Sequence, residues 1–273
     1  LQVPQCTLIK EKFVTVNRNK IRYLEEGESD RNLILLHGLG GYAERWISLI
    51  PHLSKKYHVF APDLIGYGQS DKPSVDYTPE FFTKFVFDFI NTLEIKDTYI
   101  IGTSLGGQIT AECAAVQNTK IKKIVLVSPA GIMRKSTPTL DAYTMAALYP
   151  NRDSVKNAYQ MMIGPGKQVS DISIERFVTN MTRPNAKMVF LSTLLGLKNA
   201  PDIFDKLREI NIPTLVVWGR EDKLIPFEYS QQFVSSIKNC EFIPIEGCGH
   251  SPYIEDPERL ADIVNKFFSK HSH

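Results

Sequence analysis

Thr98-Tyr99-Ile100-Ile101-Gly102-Thr103-Ser104-Leu105-Gly106-Gly107 carries an apolar run into a serine flanked by glycines and then into a helical pattern. Residues 98–101 lack polar alternation, as expected of a strand covered on both faces. Residues 105–116 read as a helix. Between them, residues 102–106 fit G-x-S-x-G, in which a serine sits at a sharp strand-to-helix turn. With Gly and Ser each near 7% of residues, three such letters recur by chance in about one chain in ten of this length. The strand-turn-helix setting therefore carries the weight. Gly102, Gly106 and Gly107 remove side chains that would collide with the neighbouring strand and helix. The Ser104 hydroxyl should then project above the sheet edge, with the Leu105 amide pointing toward a bound carbonyl.

Outward from this stretch, residues 13–26 alternate apolar and polar around Asn17-Arg18-Asn19-Lys20, which predicts an antiparallel hairpin. Short apolar runs at 33–36, 58–61, 124–127, 214–218 and 241–245 match that at 98–101. Helical patterns at 42–53, 79–93 and 105–116 separate several of them, so these strands should be parallel with right-handed crossovers. With the hairpin they make a mostly parallel, doubly wound, eight-stranded sheet. The spacing breaks once, between 127 and 214, where roughly 80 residues carry no strand-like run and are too many for a loop. Amphipathic stretches at 140–148, 155–162, 173–181 and 187–197 predict a helical cap over residues 134–208, inserted into a core of residues 1–133 and 209–273. No internal repeat or low-complexity segment interrupts this organisation.

The chain has 273 residues, 43% of them hydrophobic, enough for one large core. Lys plus Arg total 32 against 30 Asp plus Glu, and a net charge of +2 offers no field for nucleic acid or an anionic membrane. Cys6, Cys113, Cys240 and Cys248 show neither CxxC nor metal-ligand spacing. They read as free thiols in a reducing compartment, and a cytoplasmic location is expected. No signal segment or membrane span is visible, and neither a metal nor a cofactor is expected. The expected partner is a small-molecule ester or related carbonyl compound, and an oligomer is open.

A serine hydroxyl is scarcely ionised at neutral pH and needs a base within hydrogen-bond reach. Of six histidines, His271 and His273 lie in a polar tail, His52 and His58 flank a helix end and a strand start, and His37 belongs to a glycine-rich loop. His250, in Gly249-His250-Ser251-Pro252 after the last strand, remains as the base. Its orienting carboxylate is expected in Gly219-Arg220-Glu221-Asp222, just past the run at 214–218. Adjacent side chains of a tight turn point apart, and Asp222 rather than Glu221 fits the turn's usual pattern. His37-Gly38-Leu39-Gly40-Gly41 should supply the other half of an oxyanion hole. Leu39 is the expected second donor beside Leu105, with Gly40 as the alternative.

These motifs, in the order Ser, Asp, His, give the chain a resemblance to the α/β-hydrolase superfamily over its whole length. Asp63-Leu64-Ile65-Gly66-Tyr67-Gly68-Gln69-Ser70-Asp71 is similar to the loop after the fourth strand in that family, where its role is mostly structural. Within the superfamily the chain resembles carboxylesterases and the meta-cleavage product hydrolases, which cut a carbon–carbon bond in ring-fission dienoates. Ser at the nucleophile position excludes the epoxide hydrolase and haloalkane dehalogenase chemistries, whose nucleophile is Asp. The resemblance to the carbon–carbon enzymes implies Asn before the nucleophile and Trp after the base, where Thr103 and Ser251 stand here. It also implies a cap arginine for the substrate carboxylate, which Arg176 matches. A carboxylesterase for short to medium acyl chains is the first reading, carbon–carbon hydrolysis the second, and a ligand receptor on a hydrolase scaffold the third. The methionines of the cap, with Phe177 and Phe190, read as helix packing or as the lining of an acyl pocket. Trp46 and Trp218 read as core, and Cys248 as a small space-filler.

Overall fold

Asn17 and Arg18 both adopt positive φ, 47° and 69°, the pair of left-handed residues that lets a two-residue turn match the twist of its flanking strands. The structure, a computed structural model, describes residues 9–116 and 120–270; Cys6, His271 and His273 lie outside them. β1 (Lys10–Val16) and β2 (Asn19–Glu26) pair antiparallel with Val16 opposite Asn19. Asn19 and Lys20 thus belong to the strand, and the turn is shorter than its composition suggests. β3 (Asn32–Leu36), β4 (His58–Pro62), β5 (Thr98–Thr103), β6 (Ile121–Val127), β7 (Thr214–Gly219) and β8 (Cys240–Ile245) contain every apolar run picked out above. The eight strands form one sheet in the order β1-β2-β4-β3-β5-β6-β7-β8. β2 meets β4 antiparallel, and all neighbours from β4 through β8 are parallel. This is the α/β-hydrolase fold.

The parallel strands lack polar alternation because both faces are covered. Ile34, Leu36, Ile100, Ile124, Leu126, Val216 and Trp218 pack with α2 (Pro79–Thr92), α3 (Leu105–Ala115), α8 (Phe204–Glu209) and α9 (Ser230–Ser236). Leu33, Leu35, Val59, Ile101, Val125, Val127, Leu215 and Val217 face the other way, against α1 (Ile50–Leu53), α10 (Pro252–Glu255) and α11 (Pro257–Ser269). The helix expected over 42–53 is instead a 3₁₀ turn, Ala43–Trp46, followed by the single turn of α1. Pro51 opens α1; it lacks an amide hydrogen, and its ring would strike the carbonyl one turn earlier in a continuous helix.

Between β6 and β7 stand α4 (Pro138–Leu148), α5 (Arg152–Met162), α6 (Asp171–Met181) and α7 (Ala186–Asn199). α4 and α5 begin two to three residues ahead of the apolar stretches that signal them. Thr137 accepts from the Leu140 amide at 3.2 Å and Asn151 from the Ser154 amide at 2.9 Å, so polar caps and not apolar residues set their starts. α8 also precedes β7, yet Lys206 on it lies 2.7 Å from Glu112 of α3, which seats it against the sheet layer. No helix among the described residues is long and apolar enough to cross a membrane.

The loop after β4 is organised by Asp63, which is fully buried. It accepts from the amides of Ala43 at 2.7 Å and Gln69 at 2.8 Å and pairs with Arg22 at 3.2 Å. Arg22 in turn holds Glu44 and Glu11. Beside this cluster the Leu64 amide donates to His37 Nε2 at 3.0 Å, leaving the Nδ1 proton for the Gly38 carbonyl at 2.8 Å. The ring is a neutral cross-link between the loops after β3 and β4, and burial pushes its pKa down to about 4.

An unfolded histidine titrates near pH 6.5, so on acidification the unfolded chain takes up this proton first. The stability contributed by neutral His37 is complete above that pH and is lost as pH falls toward 4. Between pH 7 and 5, urea unfolding of wild type should lose about 2 kcal/mol more than that of His37→Gln. Equal losses in the two proteins would contradict this role.

Candidate active site

Ser104 sits at φ 53°, ψ −118°, between the end of β5 and the first turn of α3. A residue with a Cβ reaches this region only under constraint. The constraint is visible: the Ser104 amide donates to Val127 of β6 at 3.1 Å, and its carbonyl accepts from Gln108 at 3.0 Å and Ala130 at 2.9 Å. A Cβ on Gly102 would lie 2.1 Å from the Gly106 oxygen, and one on Gly106 would lie 2.1 Å from the Leu36 oxygen. Only glycine lets α3 come this close to β3 and β5.

Asp222 follows β7 in a turn tied back by Trp218, whose indole donates to the Ile225 carbonyl at 3.0 Å. The amides of Leu224 and Ile225 donate to Asp222 Oδ1 at 2.9 and 3.0 Å. The other oxygen, Oδ2, receives His250 Nδ1 at 2.8 Å, with both side chains almost fully buried. With Nδ1 donating, Nε2 is left with its lone pair free. Glu221 points elsewhere and accepts from the Gly247 amide at 3.3 Å.

The His250 loop is clamped from outside the sheet. Its own amide donates to the Met162 carbonyl at the end of α5, at 2.7 Å. The Glu255 carboxylate collects the amides of Gly249 at 2.9 Å, Ser251 at 3.0 Å and Gly164 at 2.8 Å. Lys167 donates to the Glu255 carbonyl at 2.6 Å and approaches Cys248 Sγ at 3.7 Å. Burial pushes the Cys248 thiol up to about 11, so it remains a thiol at neutral pH, consistent with a filler.

Ser104 and His250 line one cavity of about 400 Å³, together with Leu39 and Leu105. Gly40 is not part of its wall. The amides of Leu39 and Leu105 have no hydrogen-bond acceptor among the described residues, as an oxyanion hole requires. Tyr143 of α4 donates to the Leu39 carbonyl at 2.7 Å and orients that peptide. Leu140, Leu194, Leu197, Met133 and Met162 make the remainder of the wall largely apolar. Of the methionines in the inserted helices, Met162 lines the cavity, whereas Met145 and Met188 are exposed.

Arg176 lies elsewhere. It borders a second depression with Glu44, Asp171 and Arg183 and does not line the Ser104 cavity. Of the four cations that line it, Arg134, Lys135 and Lys198 are exposed and Arg45, on the 3₁₀ turn, is half-buried; sequence reasoning missed Arg45 together with Tyr143 and Glu255. For Glu255 a signal existed: in Ser251-Pro252-Tyr253-Ile254-Glu255 a carboxylate one turn into a helix can reach back to the first amides. Tyr143 meets Leu39 across 104 residues, and no local pattern announces such a contact.

The close approach at Gly106 is testable by stability alone. Gly106→Ala should lower the free energy of unfolding by more than about 3 kcal/mol, because the new methyl meets the β3 backbone and not a flexible side chain. A urea midpoint equal to wild type would contradict the geometry.

The profile of the alpha/beta hydrolase fold family matches residues 31–257. A 2-hydroxy-6-oxo-6-(2'-aminophenyl)hexa-2,4-dienoic acid hydrolase of Metapseudomonas resinovorans is 28% identical over 95% of this chain and 91% of its own. A monoacylglycerol lipase of Homo sapiens is 22% identical over 87% of this chain and 75% of its own. Among solved structures, a serine hydrolase involved in carbazole degradation superposes with a TM-score of 0.86 at 27% identity, covering 96% of this chain and 99% of that one. A profile match across most of the chain, on a sheet of this order with a serine at its elbow, makes the chain a member of the alpha/beta hydrolase fold family and a serine hydrolase.

Proposed function

We propose that the enzyme hydrolyses carboxylic esters through an acyl-enzyme formed on Ser104. The observation that carries this reading is the buried His250–Asp222 pair, whose free Nε2 belongs to the same cavity as the Ser104 hydroxyl. Ser104 attacks the ester carbonyl as His250 takes its proton, and Asp222 stabilises the resulting imidazolium. The Leu39 and Leu105 amides receive the oxyanion. His250 then protonates the leaving alcohol, and water activated by the same ring releases the acid. α4 to α7 act as a cap that supplies the apolar wall, which suits short to medium acyl chains.

Carbon–carbon hydrolysis of a ring-fission dienoate is the second reading, favoured by the dienoic acid hydrolase and the carbazole-degradation enzyme among the relatives. Against it stand Thr103 and Ser251, where the resemblance to the carbon–carbon hydrolases implies Asn and Trp, and the position of Arg176 outside the cavity.

Ser104→Ala should reduce p-nitrophenyl butyrate turnover by at least about 10⁴-fold, and Asp222→Asn by about 10³-fold or more through loss of the correct tautomer. Unchanged turnover in Ser104→Ala would overturn the ester reading. Glu255→Gln replaces one accepting oxygen by a donor facing backbone amides, so kcat should fall about tenfold with KM within about threefold. An equal kcat would remove Glu255 from the positioning of His250. Arg176→Ala should stay within about twofold of wild type on this neutral ester, since surface changes away from a site act weakly.

A further inference from the structure

We propose that Arg45 receives a carboxylate carried by the substrate, so that the enzyme acts by preference on anionic acyl compounds; the inference rests on Ser104 as the nucleophile of the same cavity. Arg45 is half-buried and lines the cavity with Ser104 and His250. Its guanidinium stands 4.9 Å over the ring of Tyr159. Among the described residues no carboxylate pairs with it. The adjacent Glu44 is taken by Arg22, whose Nη2 lies 2.7 Å from it and whose Nη1 lies 3.1 Å away. Asp141, also on the cavity wall, accepts from Ser136 at 2.5 Å.

An arginine cannot shed its charge, so a guanidinium withdrawn from water without a counter-ion is a standing cost to the folded enzyme. The aromatic face of Tyr159 offsets part of that cost. A carboxylate offsets the rest, because its two oxygens match the guanidinium fork. Tyr159 adds a second donor: its hydroxyl has no hydrogen-bond partner among the described residues, while Tyr143 and Tyr42 are already committed to the Leu39 and Ser173 carbonyls. Arg134, Lys135 and Lys198 also line the cavity, but all three are exposed and Arg134 donates to the Ala200 carbonyl at 2.9 Å; the half-buried fork of Arg45 is the one that a carboxylate matches away from solvent. The 3₁₀ turn that bears Arg45 follows the Leu39 loop directly. The oxyanion donors and the carboxylate receptor are thus held on one short piece of backbone. The receptor is supplied by the sheet domain, in contrast to the cap arginine expected at Arg176.

Two measurements test this. The first compares kcat/KM for p-nitrophenyl butyrate and p-nitrophenyl hydrogen glutarate, whose acyl chain ends in a carboxylate, in wild type, Arg45→Lys and Arg45→Met. Wild type should favour the anionic ester. The ratio should fall about 100-fold in Arg45→Met and about tenfold in Arg45→Lys, which keeps the charge but not the fork. The second titrates pentanoate and pentanamide into folded Ser104→Ala by calorimetry, where pentanoate should bind at least about tenfold more tightly. That measurement needs no turnover and decides the matter if Arg45→Met does not fold. Equal binding of acid and amide, or an unchanged ester ratio in Arg45→Met, would overturn the role of Arg45. No turnover of either ester by wild type would overturn the ester reading instead, and leaves calorimetry to judge Arg45.

Discussion

Ser104 is held at φ 53°, ψ −118° by hydrogen bonds on both sides of its backbone. The strain costs about 1–3 kcal/mol and must be balanced by the surroundings. Its amide is bonded to β6 and its carbonyl to α3 and the loop after β6. Gly102 and Gly106 let α3 settle against the backbone of β3 and β5 within the space of a methyl group. The serine is therefore aimed by three parallel strands at once. A slip of any one would move backbone into space that the elbow uses, so the order of the central sheet and the position of the hydroxyl are a single constraint.

The second half of the site is built across the sheet edge. Asp222 is held by two amides of its own turn, and the indole of Trp218 fastens that turn to the core. The His250 loop is tied to the helices inserted between β6 and β7 as well: the His250 amide is bonded to the end of α5, and Glu255 of α10 joins the Gly249 and Ser251 amides to Gly164 beyond α5. Tyr143 does the same for the Leu39 peptide. The inserted helices thus hold the His250 loop and the Leu39 peptide as well as wall the cavity.

The central strands were legible because each is short, apolar and covered on both faces, and because punctuation by glycine at 102 and 219 falls where strands end. Turn geometry said only that Asp222 and Glu221 diverge, and the choice of Asp222 rested on the turn's usual pattern; the structure brings Asp222 and not Glu221 to His250. What escaped is long-range. Arg176 sits in a sequence context that resembles a cap arginine, but α6 presents it to Glu44 and Asp171, away from Ser104. Arg45 lies in a stretch that reads as an ordinary amphipathic helix, and Pro51 breaks that helix into a turn. The starts of α4 and α5 were displaced because the cap residues Thr137 and Asn151, and not apolar ones, mark those boundaries.

The central claim is that the strained Ser104 hydroxyl is the group that becomes acylated. Pre-steady-state release of p-nitrophenol, followed by acid quench and mass spectrometry of peptides, measures this directly. The account requires a burst approaching one equivalent per chain, with the added acyl mass on the peptide containing Ser104. A burst whose acyl mass sits on another residue, or steady turnover with wild-type rate from a protein in which Ser104 carries no acyl group at any time, would contradict it.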